Sequence, residues 1–238
     1  MGLLIPAPPG ARIGDNIAEY FNVTRYDPPL PLIAGGETEA APPDYRPNYD
    51  VNTLRRFTHL FTLGEPVWIT EKIHGANSRF CFAEGRMHAG SRTTWKKYNK
   101  DNLWWKCLDQ HPELEAFCRA HPGMTAYGEV YGSVQNLKYG AKPGELRLAI
   151  FDLLEGSGWI DPRAALAAAP DLPWVPLIAA EIPFDLEAVL ALAEGNSVVP
   201  GANHVREGIV LKPMHERTDP EIGRVCLKVV SNAYLEKA

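Results

Sequence analysis

Residues 70–77 read Thr-Glu-Lys-Ile-His-Gly-Ala-Asn and directly follow the apolar residues Val67–Ile69. The run Val67–Lys72 predicts a strand that ends at Lys72. Gly75, three residues later, lets the backbone pass close to a ligand, so the lysine amine can face a pocket. About one such Lys-x-x-Gly spacing is expected by chance in a chain of this composition. The segment therefore indicates a functional lysine only if other segments support it.

Four further predicted strands carry charged or aromatic residues of the same kind. Charged side chains seldom remain unpaired in apolar strands, and each one alone is explained by a structural ion pair. Together they describe a pocket with a nucleophile, carboxylates, cations and an aromatic wall. The segments are Thr125–Tyr131 with Glu129, Leu146–Leu154 with Phe151 and Asp152, Gly208–Lys212 with Glu207 before it, and Arg224–Val230 with Lys228.

The order of these segments resembles that of the covalent nucleotidyltransferase superfamily, which comprises polynucleotide ligases and mRNA capping enzymes. Within it, the resemblance is to the RNA ligase 2-like branch. Glu71–Asn77 is similar to the motif that contains the adenylylated lysine, and the resemblance spans about residues 66–235. The further similar segments are Gly90–Arg92, Tyr127–Gly132, Ile150–Asp152, Glu207–Val210 and Leu227–Lys228.

The resemblance implies a ligase-type nucleotidyltransferase domain with mostly antiparallel sheets that flank a nucleotide cleft. It also implies an ATP-dependent RNA ligase. In that reaction Lys72 attacks ATP to give a lysyl-AMP intermediate, AMP passes to a 5′-phosphate, and a 3′-hydroxyl displaces AMP to seal the strand. The choice of RNA over DNA rests on the family likeness alone.

The resemblance assigns the site residues as well. Lys72, Glu207, Lys212 and Lys228 are expected to be catalytic, with the two later lysines directed at the α-phosphate. Glu207 is the expected protein contact of Mg²⁺ or Mn²⁺, because Mg²⁺ prefers oxygen ligands. The residues expected to bind the nucleotide or the polynucleotide end are Glu71, Ile73, Asn77, Arg92, Glu129 and Phe151.

The chemistry explains why these residue types are needed. An attacking lysine must be a free amine, although lysine is ordinarily protonated at neutral pH, and nearby cations favour the free amine. Phosphoryl transfer depends on positioning and charge neutralisation, which suits two further lysines and a metal. We expect Phe151 to stack on adenine and Glu129 to accept hydrogen bonds from ribose hydroxyls. Glu71 and Asn77 are expected to contact the base edge and the polynucleotide end.

A basic and aromatic segment follows the lysine loop. Arg92 is a planar bidentate donor that suits a 5′-phosphate or a nick backbone. Cations interleaved with aromatic rings are typical of a polynucleotide track. We expect RNA, as a nicked duplex or as paired ends, to bind around Arg92, Lys96 and Lys97; a solvated helix face with core tryptophans behind it is the alternative. The segment contains Arg86, Arg92, Lys96, Lys97, Lys100 and Lys106 with Trp95, Tyr98, Trp104 and Trp105.

The spacing of predicted elements indicates the fold class and the domain organisation. Strands, including Ser78–Ala83, alternate irregularly with helices, which favours an α+β fold with mostly antiparallel sheets. Nine of the 21 prolines lie in the first fifty residues, which predicts an extended segment over 1–50 and a catalytic domain over 51–238. The strand-like Gly2–Ile5 leaves open that the first segment is the remnant of an upstream module. The predicted helices are Lys100–Gln110, Pro112–Ala120, Pro162–Ala169 and Asp185–Glu194.

Composition excludes several other classes of protein. With 45% hydrophobic and 22% charged residues, the chain is neither a disordered tail nor a disulfide-stapled miniprotein. The net charge of −5 argues against gripping nucleic acid through global positive charge, so any contact must be a local groove. No apolar run approaches the ~18 residues of a membrane span. The cysteines form no Cys-x-x-Cys pair, so we expect reduced thiols and a cytoplasmic location, with a monomer favoured.

Two departures from the family pattern leave alternatives open. Where the family usually has Lys-x-Lys, Cys226 stands two residues before Lys228, so one phosphate-binding cation is missing or is supplied elsewhere. Only ten residues follow Lys228, which weighs against a DNA ligase or a capping enzyme with a C-terminal oligonucleotide-binding domain. The alternative of another class is a non-catalytic nucleotide- or nucleic-acid-binding module. Zinc could stabilise such a module through Cys107, His111, Cys118 and His121.

Overall fold

The chain divides into two compact units, of which the second carries the regular structure described below. In the first, Met1–Gly36, the Ala11 amide donates to the Pro8 carbonyl at 3.1 Å and closes a turn. The second unit is Glu37–Ala238. The predicted extended segment 1–50 lies largely outside the described residues and stays a prediction. The computed structural model describes residues 6–12, 17, 20–21, 37–43 and 49–236.

Strands dominate the described part of the second unit. Their order in the chain is β1 (Thr38–Glu39), β2 (Asn52–Thr53), β3 (Pro66–Glu71), β4 (Ala76–Ala83), β5 (Arg86–Gly90), β6 (Trp95–Lys96), β7 (Met124–Gly132), β8 (Leu146–Glu155), β9 (Gly158–Trp159), β10 (Leu177–Pro183), β11 (Gly208–Pro213), β12 (Thr218–Asp219), β13 (Gly223–Arg224) and β14 (Leu227–Val230). The five apolar runs predicted between residues 66 and 213 are all strands. The mixture of helices with antiparallel sheets confirms the expected fold class.

The helices begin where the sequence provides a cap or a proline. Asn102 accepts a hydrogen bond from the Trp104 amide at the start of α1, and Asp185 does the same for the Ala188 amide in α4. A proline occupies the first turn of α2 and of α3. The four predicted helices are therefore present, and among the α-helices of the described residues α5 was not expected. The bounds are α1 (Leu103–Asp109), α2 (Pro112–Ala120), α3 (Pro162–Ala168), α4 (Leu186–Leu192) and α5 (Asn232–Leu235).

A seven-stranded antiparallel sheet forms one half of the second unit. Its strand order is β1-β6-β5-β4-β7-β8-β9. One face packs on the first three helices through fully buried Phe80, Leu114, Cys118 and Ile150. Burying these apolar groups removes their surface from water and stabilises the sheet against the helices. The opposite face of β4, β7 and β8 is left for the site.

A five-stranded sheet with the order β10-β3-β11-β14-β2 forms the other half. All of its pairs are antiparallel except β14 with β2. Ile69, Leu211 and Leu227 are fully buried on one face and pack with Val189 of α4. Since successive side chains of a strand point to opposite faces, the residues between them face the other way. Those residues include the lysines of the predicted site.

Some strand predictions were wrong. The single strand predicted over Arg224–Val230 is two strands, because β13 pairs with β12 outside the larger sheets and the chain breaks pairing at 225–226. Strands β5 and β10 were not predicted. In the part of the chain that the structure describes, no helix is long and apolar enough to span a membrane.

Candidate active site

Three strands of the five-stranded sheet present lysines to one cavity. In the register of the sheet, Thr70 lies opposite Val210, and Val210 lies opposite Lys228. This row therefore shares one face, and residues two positions away along each strand share it too. Lys72 and Lys212 are those residues, and they line the cavity together with Thr70, Val210 and Lys228. The strand register thus brings together three lysines that are far apart in sequence.

The Lys72 amine is held by one carboxylate. Its Nζ lies 2.7 Å from Glu207 Oε1, and the exposed fractions of the two side chains are 24% and 10%. The second oxygen, Glu207 Oε2, is buried, lies 3.4 Å from His74 Nδ1 and accepts no hydrogen bond. Lys72 therefore keeps access to solvent through the cavity, while Glu207 keeps one oxygen free for a further ligand.

Two glycines allow the close backbone approach beside this lysine. The Lys72 amide donates to the Gly208 carbonyl at 2.9 Å. A Cβ on Gly208 would lie 2.0 Å from the Val229 carbonyl oxygen, and a Cβ on Gly75 would lie 2.2 Å from that of Val130. Any side chain at either position would force the backbones apart. The glycines of both predicted motifs are thus required by packing around the lysine.

The seven-stranded sheet forms the opposite wall of the cavity. Asn77 lies opposite Glu129 in the register of β4 and β7, and both line the cavity. Along β8 the register shifts between the pair Tyr127–Asp152 and the pair Gly128–Ile150, which leaves Phe151 as the extra residue. A bulge of this kind re-aims side chains and is frequent beside functional sites. It lets both Phe151 and Asp152 reach the cavity.

Glu129 connects this wall with the turn that follows Lys72. Its Oε1 accepts the Gly75 amide at 3.1 Å, so it also fixes the turn after Lys72. Burial raises the pKa of Glu129 to about 7, and the charge of Glu207 adds to that effect, whereas Lys72 opposes it. A carboxyl group with such a pKa exchanges its proton near neutral pH, as groups in functional sites often do.

Lys212 belongs to a buried ion network. Its Nζ pairs with Asp152 Oδ1 and donates to the Phe151 carbonyl at 2.7 Å, and both charged side chains are only 3% exposed. Arg224 holds both oxygens of Asp152 at 2.7 Å, and the Tyr49 hydroxyl donates to Oδ2. Burial alone would raise the pKa of Asp152, but Arg224 and Lys212 outweigh burial and hold it well below its ordinary value. Sequence reasoning counted Asp152 among the pocket segments without giving it a role, and it did not assign Arg224 or Tyr49 to the site.

The motif around Lys228 has Cys226 where the family usually has a second lysine, and no neighbouring cation in the described ranges takes the place of that lysine. Cys226 lines the cavity near Lys228, and Arg224, the nearest upstream cation, is committed to Asp152 and Glu216 instead. Lys228 has no ion pair within the described residues. The cationic side chains that line the described cavity are Lys72, Arg92, Lys212 and Lys228.

Glu71 and Ile73 complete the wall beside the nucleophile loop. Ile73 is 4% exposed and packs with Tyr131 and Val175. Glu71 is 1% exposed and lines the cavity; its Oε2 accepts the Val198 amide at 2.8 Å. Its other oxygen, Oε1, is buried without a hydrogen-bond partner. Buried polar atoms are normally satisfied, so this oxygen is suited to a donor from a bound molecule.

The residues predicted for the site line one cavity between the sheets, apart from the surface residues of the basic segment and Glu207, which does not line the cavity and contacts Lys72 from beside it. The sequence of residues 65–230, more than half of the chain, matches the family described as RNA ligase. The chain belongs to the RNA ligase family. This membership confirms the resemblance drawn from the motifs.

Solved structures share the fold of this RNA ligase family member. A lysine-to-alanine variant of a Naegleria gruberi RNA ligase in its apo form is 21% identical, with a TM-score of 0.70, and the match covers 97% of this chain and 69% of that one. An arginine-to-alanine variant with ATP and Mn is 21% identical (TM-score 0.69; 96% and 69% covered). The ligase with PPi is also 21% identical (TM-score 0.67; 96% and 68% covered). Among curated proteins, none matches the chain.

The basic segment of this RNA ligase family member is only partly at the surface. Trp95 and Trp105 are 4% and 5% exposed, so they belong to the core and cannot stack on bases. Tyr98 is 68% exposed, and Lys96 Nζ lies 4.9 Å from the centre of the Trp104 ring. Arg92 lies at the mouth of the cavity and pairs with Asp50; Arg86 pairs with Glu39.

The zinc alternative is not supported by the geometry. Cys107 and Cys118 are fully buried, and burial raises the pKa of the Cys107 thiol to about 12. His111 contacts Glu113, and His121 contacts the Phe117 carbonyl. Across the described ranges, no three His, Cys, Asp or Glu side chains form a group that could hold a metal ion.

Proposed function

We propose that the chain is an ATP-dependent RNA ligase that joins a 3′-hydroxyl to a 5′-phosphate through an AMP group carried on Lys72. The observation that carries the proposal is the meeting of this amine with Lys212, Lys228 and Phe151 in one cavity between two sheets. The family match supports RNA as the substrate class. The Naegleria structures with ATP support ATP as the nucleotide.

In the first step, the Lys72 nitrogen attacks the α-phosphorus of ATP. A nitrogen–phosphorus bond forms, the bond to the β-phosphate oxygen breaks, and pyrophosphate leaves. The Lys72 ammonium loses one proton to solvent before the attack and a second after the nitrogen–phosphorus bond forms, and Glu207, 2.7 Å away, is placed to hold the ammonium before the reaction. This ion pair orients the nitrogen toward the cavity. Holding the reacting atom in one place supplies a large part of the rate increase in such steps.

The two other lysines neutralise the developing phosphate charge. Lys212 is fixed by Asp152 and the Phe151 carbonyl, so its ammonium needs no reorganisation when charge develops. Lys228 lies on the neighbouring strand without an ion pair to any described residue, so its charge is available to the phosphates. The cation missing at Cys226 is not restored by Arg224, whose charge is used inside the protein.

The nucleoside is held by residues from both walls of the cavity. Phe151 stacks on the adenine ring, and Glu129 binds a ribose hydroxyl. The unpartnered Oε1 of Glu71 accepts the exocyclic amine of adenine. Ile73 packs against the base, and Asn77 contacts the polynucleotide end. Each of these side chains lines the same cavity, which supports a single bound nucleotide rather than separate sites.

Glu207 is the proposed protein contact of a divalent metal, Mg²⁺ or Mn²⁺. Its Oε2 is buried and accepts no hydrogen bond, which fits a hard cation that prefers oxygen. When bound there, the metal supplies charge neutralisation for the phosphates. One carboxylate suffices on the protein side, since Mg²⁺ usually keeps several waters and takes substrate phosphates as ligands.

The second and third steps use an RNA end. AMP passes from Lys72 to a 5′-phosphate to give an A(5′)pp(5′)N end, and a 3′-hydroxyl then displaces AMP to form the phosphodiester. We assign Arg92 to the 5′-phosphate, because it lies at the cavity mouth with an exposed, exchangeable partner. Lys96, Lys97, Tyr98 and Trp104 extend the path beyond it. Cationic groups beside exposed rings suit a nicked duplex or paired ends.

The wider organisation is part of the proposal. Residues 51–238 form the catalytic domain, and 1–50 is an extended N-terminal segment. All four cysteines are buried free thiols, which supports the reducing cytoplasm as the location.

Labelled ATP with Mg²⁺ tests the proposal. The wild type is expected to carry AMP through denaturing gels and to seal nicked RNA, whereas Lys72→Ala does neither. Lys142→Ala is the matched control, since that lysine is exposed and does not line the cavity. AMP that remains on Lys72→Ala would remove the mechanism. Equal sealing of nicks with ribose and deoxyribose 3′ ends would contradict the assignment to RNA, because only the 2′-hydroxyl distinguishes them.

A further inference from the structure

The turn that follows Lys72 is anchored by three backbone amides to three different elements. The Lys72 amide donates to the Gly208 carbonyl at 2.9 Å, and the Gly75 amide donates to Glu129 at 3.1 Å. Between them, the His74 amide donates to the Tyr139 hydroxyl at 2.8 Å. The first two partners belong to the site described above. The third, Tyr139, lies in the connection between β7 and β8 and does not line the cavity.

Tyr139 is held rigidly in an unusual backbone conformation. Its φ is +51°, a left-handed value that non-glycine residues rarely adopt. Its carbonyl accepts Arg147 Nη1 at 2.8 Å. The next residue, Gly140, packs so closely on Gly201 that a Cβ would lie 2.4 Å from the Gly201 carbonyl oxygen. Strained conformations of this kind persist only where the surroundings over-determine them, and they concentrate at functional sites.

The Tyr139 ring is fixed as firmly as its backbone. The residue is fully buried, and its ring meets those of His204 and Tyr131 edge-on, at centroid distances of 4.6 and 5.2 Å. The hydroxyl therefore cannot move without repacking this cluster. A hydroxyl that is fixed on all sides acts as a rigid acceptor for the amide two residues after the nucleophile.

We infer that Tyr139 is a positioning residue for Lys72: its hydroxyl, by holding the His74 amide, sets the direction in which the strand delivers the nucleophile. The inference rests on the proposed function. Burial raises the pKa of the Tyr139 hydroxyl, so it stays protonated over the working range and its effect does not depend on pH. Small displacements of a reacting group cause large losses of rate, which makes such an anchor consequential.

Tyr139→Phe deletes the acceptor and keeps the ring. We expect the single-turnover rate of AMP transfer from saturating ATP to Lys72 to fall by about tenfold, the usual consequence of losing one hydrogen bond in a buried site. The equilibrium affinity for ATP should stay unchanged, because the residue does not line the cavity. The shape of the pH–rate profile should also stay that of the wild type.

Tyr131→Phe is the matched control. Tyr131 belongs to the same cluster and is 8% exposed, but its hydroxyl makes no hydrogen bond with the described residues. It should react at the wild-type rate. Hydrogen exchange gives an independent reading: Tyr139→Phe should speed exchange in a peptide that covers residues 73–75 and leave the peptides of both sheets unchanged.

The outcomes separate the two proposals. If the wild type takes no AMP label, the proposed function fails. If the wild type is labelled and Tyr139→Phe reacts at the same rate, the inference alone is overturned. It is also overturned if Tyr139→Phe weakens ATP affinity as much as rate, or if exchange rises throughout both sheets, since either result assigns Tyr139 a role in general stability. Both variants are assayed well below their melting temperatures.

Discussion

Lys72 and Lys212 lie in one cavity on neighbouring strands, yet their amines are held in different ways. Lys72 has a single carboxylate partner, Glu207, and remains 24% exposed. Lys212 is 3% exposed and belongs to a network with Asp152 and Arg224. An amine that must lose its protons and form a bond needs a releasable partner. A lysine that only provides positive charge gains from being fixed in advance.

The same contrast holds for the carboxyl groups. Glu129, beside Lys72, has its pKa raised to about 7, chiefly by burial. Asp152, beside Lys212, is also buried, but its two cations hold its pKa well below the ordinary value. The part of the cavity around Lys72 can therefore exchange protons near neutral pH, whereas the part around Lys212 has a fixed charge.

The largest expected effect separates the two lysines by activity. Lys72→Met should abolish covalent AMP labelling, because no nitrogen remains to attack. Lys212→Met should still be labelled, at a rate lowered by about a hundredfold, the size found when one preorganised charge-stabilising group is removed. Labelling rates with excess ATP measure both. Complete loss in both variants, or equal partial losses, would erase the distinction.

The next effect compares the two carboxylate partners by stability. Asp152→Asn should lower the free energy of unfolding by about 3 kcal/mol, because Arg224 and Lys212 are then buried without their counter-charge. Glu207→Gln should lower the free energy of unfolding by a smaller amount, since Lys72 can turn toward solvent. Urea denaturation of the two variants provides the measurement. A smaller loss for Asp152→Asn than for Glu207→Gln would reverse the comparison.

The raised pKa of Glu129 makes the unfolding free energy depend on pH. Because the folded pKa of Glu129 is about 7 and its ordinary value is 4.5, the folded state binds more protons than the unfolded state between these values. The contribution of Glu129 to stability is therefore present at low pH and is lost as pH rises through about 7. From about pH 5 to about pH 8, the unfolding free energy of wild type relative to Glu129→Gln should fall by about 1–3 kcal/mol. Parallel curves for the two proteins would contradict this assignment.

The smallest effect concerns the exposed end of the cavity. Arg92 and Asp50 form an ion pair whose side chains are 55% and 78% exposed. Asp50→Asn should change the unfolding free energy by less than about 0.5 kcal/mol, because exposed pairs are screened by solvent. The same denaturation assay measures it. A loss as large as that of Asp152→Asn would mean that burial does not govern these ion pairs.

The sequence was most informative where chemistry and strand pattern coincide. Lys72, Lys212 and Lys228 each lie at or within a short apolar run, and the pairing of β3, β11 and β14 places them on one face of the sheet. The apolar runs also predicted the main strands, prolines and acidic caps predicted three of the helices, and the helical spacing of apolar residues predicted α1. Local patterns of this kind depend on nearest neighbours, which a sequence displays directly.

The sequence was least informative where a structure depends on distant partners. Asp152 meets Arg224 across 72 residues, and neither the pairing nor the contribution of Tyr49 leaves a local pattern. Strand β10 was missed because it is a half-exposed edge strand with two register shifts and a left-handed residue, Glu181. Strand β5 was missed because it contains His88, a polar residue that is fully buried beside Glu39 and Trp95.

Mapping the AMP group on the wild-type protein tests the central claim most directly. After reaction with ATP and Mg²⁺, the protein is digested under conditions that preserve phosphoramidates, and the added mass is located by peptide sequencing. The account predicts one modified residue, Lys72, the lysine with a releasable partner. A nucleotide attached to Lys212 or Lys228 instead, or a protein that remains unmodified, would contradict it.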